Sequence, residues 1–216
     1  MINLIRLEFL KLRKKTRSWL GPIIVFLLIM IAYPLTVEFL QEKLEIGFFS
    51  VLWIAILISM MLATEDIFTE DFNDGFLELM VIQNSSFSLG VSIKVFAYWF
   101  LIGVPVSFLS FIFSYGTTGN FSLSIFIFPL ALISSYIFLN LFALGNSLSL
   151  NKGSVLGAIV TMPIALPVLI VLGKSLTALQ LDINFLSFIL LLLGSLSIII
   201  VIIPLIVSYI IKAHLE

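Results

Sequence analysis

The segment FLSFILLLLGSLSIIIVIIPLIVSYII, residues 185–211, contains no Asp, Glu, Lys or Arg. An α-helix needs about 20 mainly apolar residues to cross the hydrocarbon core of a bilayer, and this segment exceeds that length. A helix also satisfies its own backbone hydrogen bonds where no water is present. The segment therefore predicts a membrane-spanning helix.

The whole chain has the composition of an integral membrane protein. Of its 216 residues, 61% are hydrophobic and 11% are charged, whereas soluble domains carry about 25% charged residues. The mean hydropathy is +1.25. The net charge of −1 does not point to a nucleic-acid partner. The chain contains no cysteine, which excludes disulfides and thiolate metal sites.

Six segments have the length and composition of spanning helices, and they lie at about residues 19–38, 48–64, 93–114, 122–146, 154–173 and 185–211. The alternating pattern of transmembrane barrel strands is absent from these continuous apolar runs. We therefore predict an all-α integral membrane protein with six transmembrane helices. No long linker divides the chain, so residues 1–216 are predicted to form one membrane domain.

The distribution of basic residues predicts the orientation. Lys and Arg in short loops mark the cytoplasmic side of a membrane protein. With six spans, every Lys and Arg except Lys43 and Lys174 lies on the same side as the N-terminus. Both termini, and the loop between the second and third spans, are therefore predicted to be cytoplasmic.

The N-terminal segment, residues 1–18, carries apolar residues at helical spacing with basic residues between them. It predicts a short amphipathic helix in the membrane interface, with its cations against anionic lipid. A topology signal with no further role is an equal alternative. The apolar run at 20–37 is long for a secretory signal and lacks a small-x-small cleavage site, so we expect a retained first helix.

The loop after the second span contains the segment TEDIFTEDFNDGFLELM, residues 64–80. Half of the acidic residues of the chain lie in it: Glu65, Asp66, Glu70, Asp71, Asp74 and Glu78. As one helix, it would place Phe68, Phe72, Phe76 and Met80 on one face and an acidic row on roughly the opposite face. Gly75 weakens a helix by about 1 kcal/mol relative to alanine. Two short helices bent at Asp74-Gly75 are therefore as consistent with the sequence as one.

Three roles are open for this acidic segment. Clustered carboxylates could bind a divalent cation, although no 12-residue calcium loop and no nearby histidine is found. A solvated loop is the usual role of a charge run. Aromatic residues at helical spacing favour a docking helix that inserts into a partner's groove. They fit equally well a helix that packs on this protein's own spans.

Other candidate sites are weak. The tripeptide Gly173-Lys174-Ser175 resembles the end of a phosphate-binding loop, but Val168 stands where that motif requires glycine. We therefore expect ATP to bind only on another polypeptide. The single histidine, His214, lies near the C-terminus, and the spans contain almost no ionisable residues, which argues against an ion-coupled carrier.

Small residues and prolines mark the region of the fifth span. Gly145, Ser149, Gly153 and Gly157 recur every four residues, a spacing that allows helices to approach closely. Pro163 and Pro167 then interrupt the backbone hydrogen bonds of that span. A structural kink is one interpretation of the prolines, and a hinge or substrate-path element that also includes Gly153 and Gly157 is the other.

Several segments, in order along the chain, resemble the haem exporter protein B (CcmB) family. The start RLEFLKLRKK, the pattern Asp74-Gly75-x-Leu77-Glu78, the group Lys94, Trp99, Gly103 and Pro105, and the run Lys152-Gly153 followed by Pro163 and Pro167 are similar to the family's patterns. The segment IQNSSFS departs from a frequent Leu-Pro pair, and Ser154 replaces a second glycine. Tyr98 stands where the family often has histidine, which puts in doubt any haem contact there.

The resemblance implies a permease subunit of the ABC-2 type in cytochrome c maturation. It implies that a cytoplasmic helix after the second span docks on the ATPase subunit, which assigns docking to Asp66, Phe68, Glu70, Asp71, Phe72, Asp74, Gly75, Phe76, Leu77 and Glu78. The implied partners are a CcmA-like ATPase, a CcmC-like haem-handling subunit, a CcmD-like small subunit and a CcmE-like haem chaperone. A homodimer within that complex and contact with membrane lipid are further expectations.

The cargo stays open under this resemblance, because the family is linked both to haem export and to release of the haem-loaded chaperone. We expect no cofactor bound by this chain, with haem as candidate cargo and ATP on the partner. The methionines Met30, Met60, Met61 and Met162 are expected to pack against apolar neighbours, and no convincing haem ligand is found. The sequence indicates no catalytic residue and no metal site.

Two other functions are compatible with the residues. One is an ABC-2 permease for a lipid, drug or polysaccharide, and the other is a scaffold that assembles a haem-handling complex without transport. We expect the bacterial inner membrane as the location, since a transit peptide is not evident. The mitochondrial inner membrane is the alternative.

Overall fold

The computed structural model describes residues 2–37, 41–82, 87–150, 154–180 and 185–215. Within these ranges the chain is helical apart from short turns. The helices are α1 (Ile2–Lys14), α2 (Thr16–Thr36), α3 (Gln41–Ala63), α4 (Thr69–Asn73), α5 (Phe76–Ile82), α6 (Phe87–Tyr98), α7 (Val104–Thr118), α8 (Phe121–Leu148), α9 (Ser154–Gln180) and α10 (Phe185–Leu215). A π-helical turn, Trp99–Gly103, joins α6 to α7 in one continuous helix.

Five helices among the described residues are long and apolar enough to cross a membrane. They are Ser18–Thr36, Phe87–Thr118, Phe121–Leu148, Ile159–Leu179 and Phe185–Leu215. The second predicted span falls on helix α3, whose apolar part, Gly47–Ala63, is shorter than the others. The all-helical membrane architecture predicted from the sequence is thus found.

The observed helices are longer than the predicted spans. The segment beginning at Lys174 was expected to leave the fifth span, but α9 continues to Gln180. Leu176 and Ala178 are buried there, and the Ser175 hydroxyl donates a hydrogen bond to the Leu172 carbonyl at 2.7 Å. Apolar packing and internal bonding of polar side chains therefore extend the helix beyond its continuous apolar run.

Helix α8 is the centre of the bundle, because α3, α7, α9 and α10 all pack against it. Its inward face carries small side chains, including Ala131, Ser134, Ser135 and Ala143, each fully buried. Small residues let helix backbones approach closely in a membrane, where burial of apolar surface alone gives little preference for helix contact. The composition of α8 thus explains its central position.

The close approach predicted from glycine spacing is found between α8 and α9. A Cβ atom placed on Gly145 would lie 2.6 Å from the Gly157 carbonyl oxygen, and one on Gly157 would overlap the Gly145 backbone. Only residues without a side chain fit at this contact. Gly153 and Lys152 lie outside the described residues, so the remaining part of the predicted pattern is not described.

Candidate functional site

The acidic segment forms two short helices, α4 and α5, with a bend between them. The bend is at Gly75, which has a positive φ of 71°, a conformation that glycine adopts without the strain other residues incur. The alternative of one continuous helix is therefore wrong, and the alternative of two helices bent at Asp74-Gly75 is confirmed. The bend also breaks the four-residue repeat of the aromatic side chains.

The aromatic side chains face this protein's own helices. Phe68 is 1% exposed and Leu77 is 3% exposed, while Phe72 and Phe76 are half-buried. Phe72 and Met80 pack against the buried core. The inner side of the segment is thus an apolar surface seated on the bundle, as one of the hypotheses from the sequence had it.

The acidic side chains divide into an inward and an outward set. Asp71 is 6% exposed, whereas Asp66, Asp74 and Glu78 are exposed and Glu70 is half-buried. Within the described part of the chain, no three carboxylate or histidine groups converge as metal ligands would.

Asp71 bridges lysines from two other helices. The Lys94 ammonium of α6 contacts its Oδ2 atom, and the Lys11 ammonium of α1 lies 3.2 Å from its Oδ1 atom. Burial raises the pKa of the Asp71 carboxyl, but Lys94 and Lys11 outweigh this and place the pKa below its ordinary value. Asp71 is therefore ionised at neutral pH. Lys94, identified by its resemblance to the family, is 8% exposed and is thus a buried counter-ion.

The N-terminal part of the chain is attached to the acidic segment at two further points. Lys15, between α1 and α2, forms an ion pair with Glu70. The Lys11 ammonium also lies 3.9 Å from the centre of the Phe76 ring, a cation–π contact. Helix α1 thus contacts both α4 and α5 through Lys11, by its ion pair with Asp71 and its contact with Phe76.

Glu8 is a further buried charge, to which the sequence analysis assigned no role although it lies in the family-matched start RLEFLKLRKK. It lies one turn before Lys11 on α1 and is 5% exposed. It lines a small cavity together with Asp71 and Lys94. We call Glu8, Lys11, Asp71 and Lys94 the charged cluster; its two carboxylates and two ammonium groups balance formally.

Asn146 fixes the beginning of α4 and was also missed from the sequence. The Phe68 backbone N–H donates to the Asn146 side-chain oxygen at 3.1 Å. The Asn146 amide donates to the Glu65 carbonyl at 2.6 Å and lies 3.4 Å from the Thr69 hydroxyl. The only signal in the sequence is an amide side chain near the end of an apolar span, and its partners are 78 and 81 residues away.

The helix that carries Lys94 leads directly into the π-helical turn. The Trp99 indole N–H lies 3.2 Å from both the Leu132 carbonyl and the Ser135 hydroxyl of α8. A Cβ atom on Gly103 would lie 2.5 Å from the Trp99 ring, so glycine makes room for the indole. Pro105 follows at the start of α7 and provides no N–H for the helical ladder. These residues explain the Trp, Gly and Pro positions of the family pattern as packing of α6 and α7 on α8.

Tyr98, where the resemblance implies a frequent histidine, is 6% exposed. It contributes to the wall of an open cleft beside Lys15, Asp66 and Glu70. The phenol therefore lies next to the acidic segment.

The paired prolines of α9 face outward. Pro163 and Pro167 are exposed, as is Met162 beside them. They are therefore on the outer face of the bundle and not between its helices. Met30 and Met60 are buried in the apolar core, as predicted, whereas Met162 is not.

Comparison with known proteins agrees with the resemblance seen in the sequence. The CcmB protein family matches residues 1–214. The chain is 27% identical over 186 residues to heme exporter protein B of Haemophilus influenzae, covering 85% of this chain and 84% of the relative. It is 29% identical over 161 residues to heme exporter protein B of Pseudomonas aeruginosa, covering 73% and 72%. Because the family match spans nearly its full length, the chain belongs to the CcmB protein family.

Proposed function

We propose that this protein is the membrane permease subunit of an ABC transporter complex for cytochrome c biogenesis. It couples ATP hydrolysis by a partner subunit to haem export or to release of a haem-loaded chaperone. The observation that carries the proposal is the acidic segment, which is held against the bundle on one side and exposes carboxylates on the other. Membership of the CcmB family and the name of its relatives, heme exporter protein B, support haem as the cargo.

The membrane arrangement we propose has six spans, both termini in the cytoplasm and the bacterial inner membrane as location. Helix α3 is the additional span: its apolar part, Gly47–Ala63, has a length of about 26 Å, close to a hydrocarbon core of about 30 Å. The chain then forms one membrane domain. Helix α1, the acidic segment and the end of α8 lie together at its cytoplasmic end.

The docking surface for the ATPase is the outer side of the acidic segment. Asp66, Asp74 and Glu78 are exposed there, and Leu79 and Ile82 are 57% and 77% exposed. Apolar side chains next to carboxylates fit a partner surface with an apolar pocket and a basic rim. Phe68, Asp71 and Leu77 hold the segment on the bundle, and Phe72 and Phe76 line its inner side.

The partners of the complex follow from the same proposal. ATP binds on the ATPase, this chain carries no cofactor of its own, and haem is handled as cargo together with the CcmC-like, CcmD-like and CcmE-like subunits.

The outward face of α9, with Pro163 and Pro167, is available to lipid or to a second copy of the chain. Gly157 holds that helix on α8.

The test of docking is the charge reversal Asp74→Lys with Glu78→Lys, followed by purification from membranes and measurement of co-purified ATPase. Both carboxylates are exposed, so the change leaves the internal ion pairs intact. We expect about tenfold less ATPase, equivalent to about 1.4 kcal/mol. Reversal at Glu70 is less suitable, because it also breaks the ion pair with Lys15.

The matched control is Lys174→Glu, a charge reversal at an exposed position near the C-terminal end of α9. It should leave ATPase recovery unchanged. If the wild type and the Asp74→Lys/Glu78→Lys variant recover equal amounts of ATPase, docking at this surface is contradicted. Recovery of no ATPase even with the wild-type chain favours the non-transporting scaffold, and an ATPase without haem-handling subunits favours a permease for another substrate.

A further inference from the structure

Asp71 differs from the other acidic residues of its segment in being nearly inaccessible and shared between two helices. A buried carboxylate that loses its counter-ions is strongly disfavoured, because it has been removed from water. Lys94 of α6 and Lys11 of α1 provide those counter-ions. The carboxylate thus joins three elements that are distant in sequence.

The short helix α4 needs such an attachment to keep its position. It has five residues, and a helix this short is not stable in isolation. Turn residues precede it, and the left-handed glycine at the bend follows it. Its placement therefore depends on side-chain contacts: the ion pairs of Asp71, the packing of Phe68 and the hydrogen bonds of Asn146.

The attachment to α6 is close to an irregular part of the bundle. Lys94 is one turn before Tyr98, and the π-helical turn Trp99–Gly103 follows in the same continuous helix. A displacement of α4 that acts on Lys94 therefore reaches a place where the helical ladder already departs from regular geometry. Pro105, at the start of α7, provides no N–H, so one further backbone hydrogen bond is absent just beyond the turn.

We propose that Asp71 is a positioning residue that joins α4, α1 and α6 into one rigid body, so that movement of the docking surface is transmitted through Lys94 to the π-helical turn and α7. This inference rests on the proposed function, because it assigns a path for the motion that the ATPase drives. The outward acids bind the partner, and the inward acid carries the displacement into the membrane. Lys11 extends the same rigid body to the N-terminal helix.

Spin-label distances test the rigid body directly, since the chain has no cysteine of its own. Labels at Asn73→Cys on α4 and Leu89→Cys on α6, both exposed, report how firmly the segment is held. In the purified complex we expect a narrow distance distribution that does not change with ATP and vanadate. Asp71→Asn and Lys94→Met should each broaden it at least twofold, and Asp71→Glu should restore most of the wild-type width.

A second label pair measures the movement that the charged cluster is proposed to transmit to α7. Tyr115→Cys on α7 and Lys174→Cys on α9 are exposed sites far along their helices from the charged cluster. We expect ATP and vanadate to change this distance in the wild type. Asp71→Asn should abolish the change while co-purified ATPase remains within about twofold, since the outer acids are intact.

Controls and contrary outcomes separate the two proposals. Lys212→Met removes the charge of an exposed lysine in the last turn of α10, outside the docking surface and the charged cluster. It should leave the width at Asn73–Leu89 and the response at Tyr115–Lys174 as in the wild type. If Asp71→Asn does not assemble, the double variant Asp71→Asn/Lys94→Met removes both buried charges together and serves for the same measurements. The positioning role is overturned if these variants recover ATPase and keep either the wild-type width of the Asn73–Leu89 distribution or the full change of the Tyr115–Lys174 distance. The docking proposal is not affected by that result. Absence of ATPase from the wild-type complex overturns both proposals.

Discussion

At the residue scale, the charged cluster shows how a mainly apolar chain accommodates acidic and basic side chains. Breaking a buried ion pair by removing one partner costs about 3–5 kcal/mol, because the other charge is left without compensation. Asp71 and Lys94 are both buried, so their pair belongs to this class, whereas Lys15 and Glu70 are partly exposed and contribute little. The cluster therefore favours one placement of the acidic segment.

The lowered pKa of Asp71 predicts a pH dependence of stability. A carboxyl whose folded pKa is below its unfolded pKa stabilises the protein above the unfolded value, and the contribution is lost as the pH falls through the folded value. The groups facing it are Lys94, Lys11 and Glu8. We expect the melting temperature in detergent to fall more between about pH 5 and pH 3 for the wild type than for Asp71→Asn. Equal pH dependence of the two proteins contradicts this assignment.

At the scale of the helices, the sequence predicts well which segments are helical and predicts poorly which helices contact each other. Long apolar runs without charge predicted the spanning helices, and the glycine spacing predicted a close approach of helices without identifying the pair. Both features are local in sequence. The partners of Glu8 and Asn146 could not be predicted, because they depend on how helices far apart in the chain are placed. The bend at Gly75 was left open, since one glycine weakens a helix without fixing where it ends.

Substitution of two glycines of α9 is predicted to change the stability of the protein in opposite directions, because Gly157 lies at the contact with α8 and Gly173 does not. Gly157→Ala should destabilise the protein, because the added Cβ overlaps the Gly145 backbone and lies 2.8 Å from the Ser149 hydroxyl. Gly173→Ala, on the same helix, meets nothing within 4 Å and should stabilise it by up to about 1 kcal/mol, because alanine favours helix. Thermal unfolding in detergent measures both. A neutral Gly157→Ala would show that the helices separate without penalty.

At the scale of the whole molecule, the charged end of the bundle gathers helix α1, the acidic segment, the start of α6 and the end of α8. Lys11, Lys15 and Lys94 are among the basic residues from which the orientation is predicted, and all three contact the acidic segment. These charges thus also hold that segment on the bundle. The site at this end follows from the fold as a whole and not from a compact motif.

Single cysteines test the proposed membrane arrangement. Asn73→Cys, Thr36→Cys and Ser122→Cys are exposed positions at helix ends or in the acidic segment. With six spans, a membrane-impermeant maleimide should label Thr36→Cys and Ser122→Cys in intact spheroplasts and label Asn73→Cys only after lysis. Labelling of Thr36→Cys only after lysis contradicts the crossing of α2 and reduces the number of spans.

The ion pair between Lys11 and Asp71 also has a consequence for synthesis of the chain. The two residues are 60 positions apart, and Lys94 emerges 23 positions after Asp71. At about 5–20 residues per second, Asp71 leaves the ribosome about 3–12 s after Lys11. The first helix to be translated therefore reaches its final contacts only after the beginning of the third predicted span has been synthesised, so its docking follows the synthesis of the first two spans.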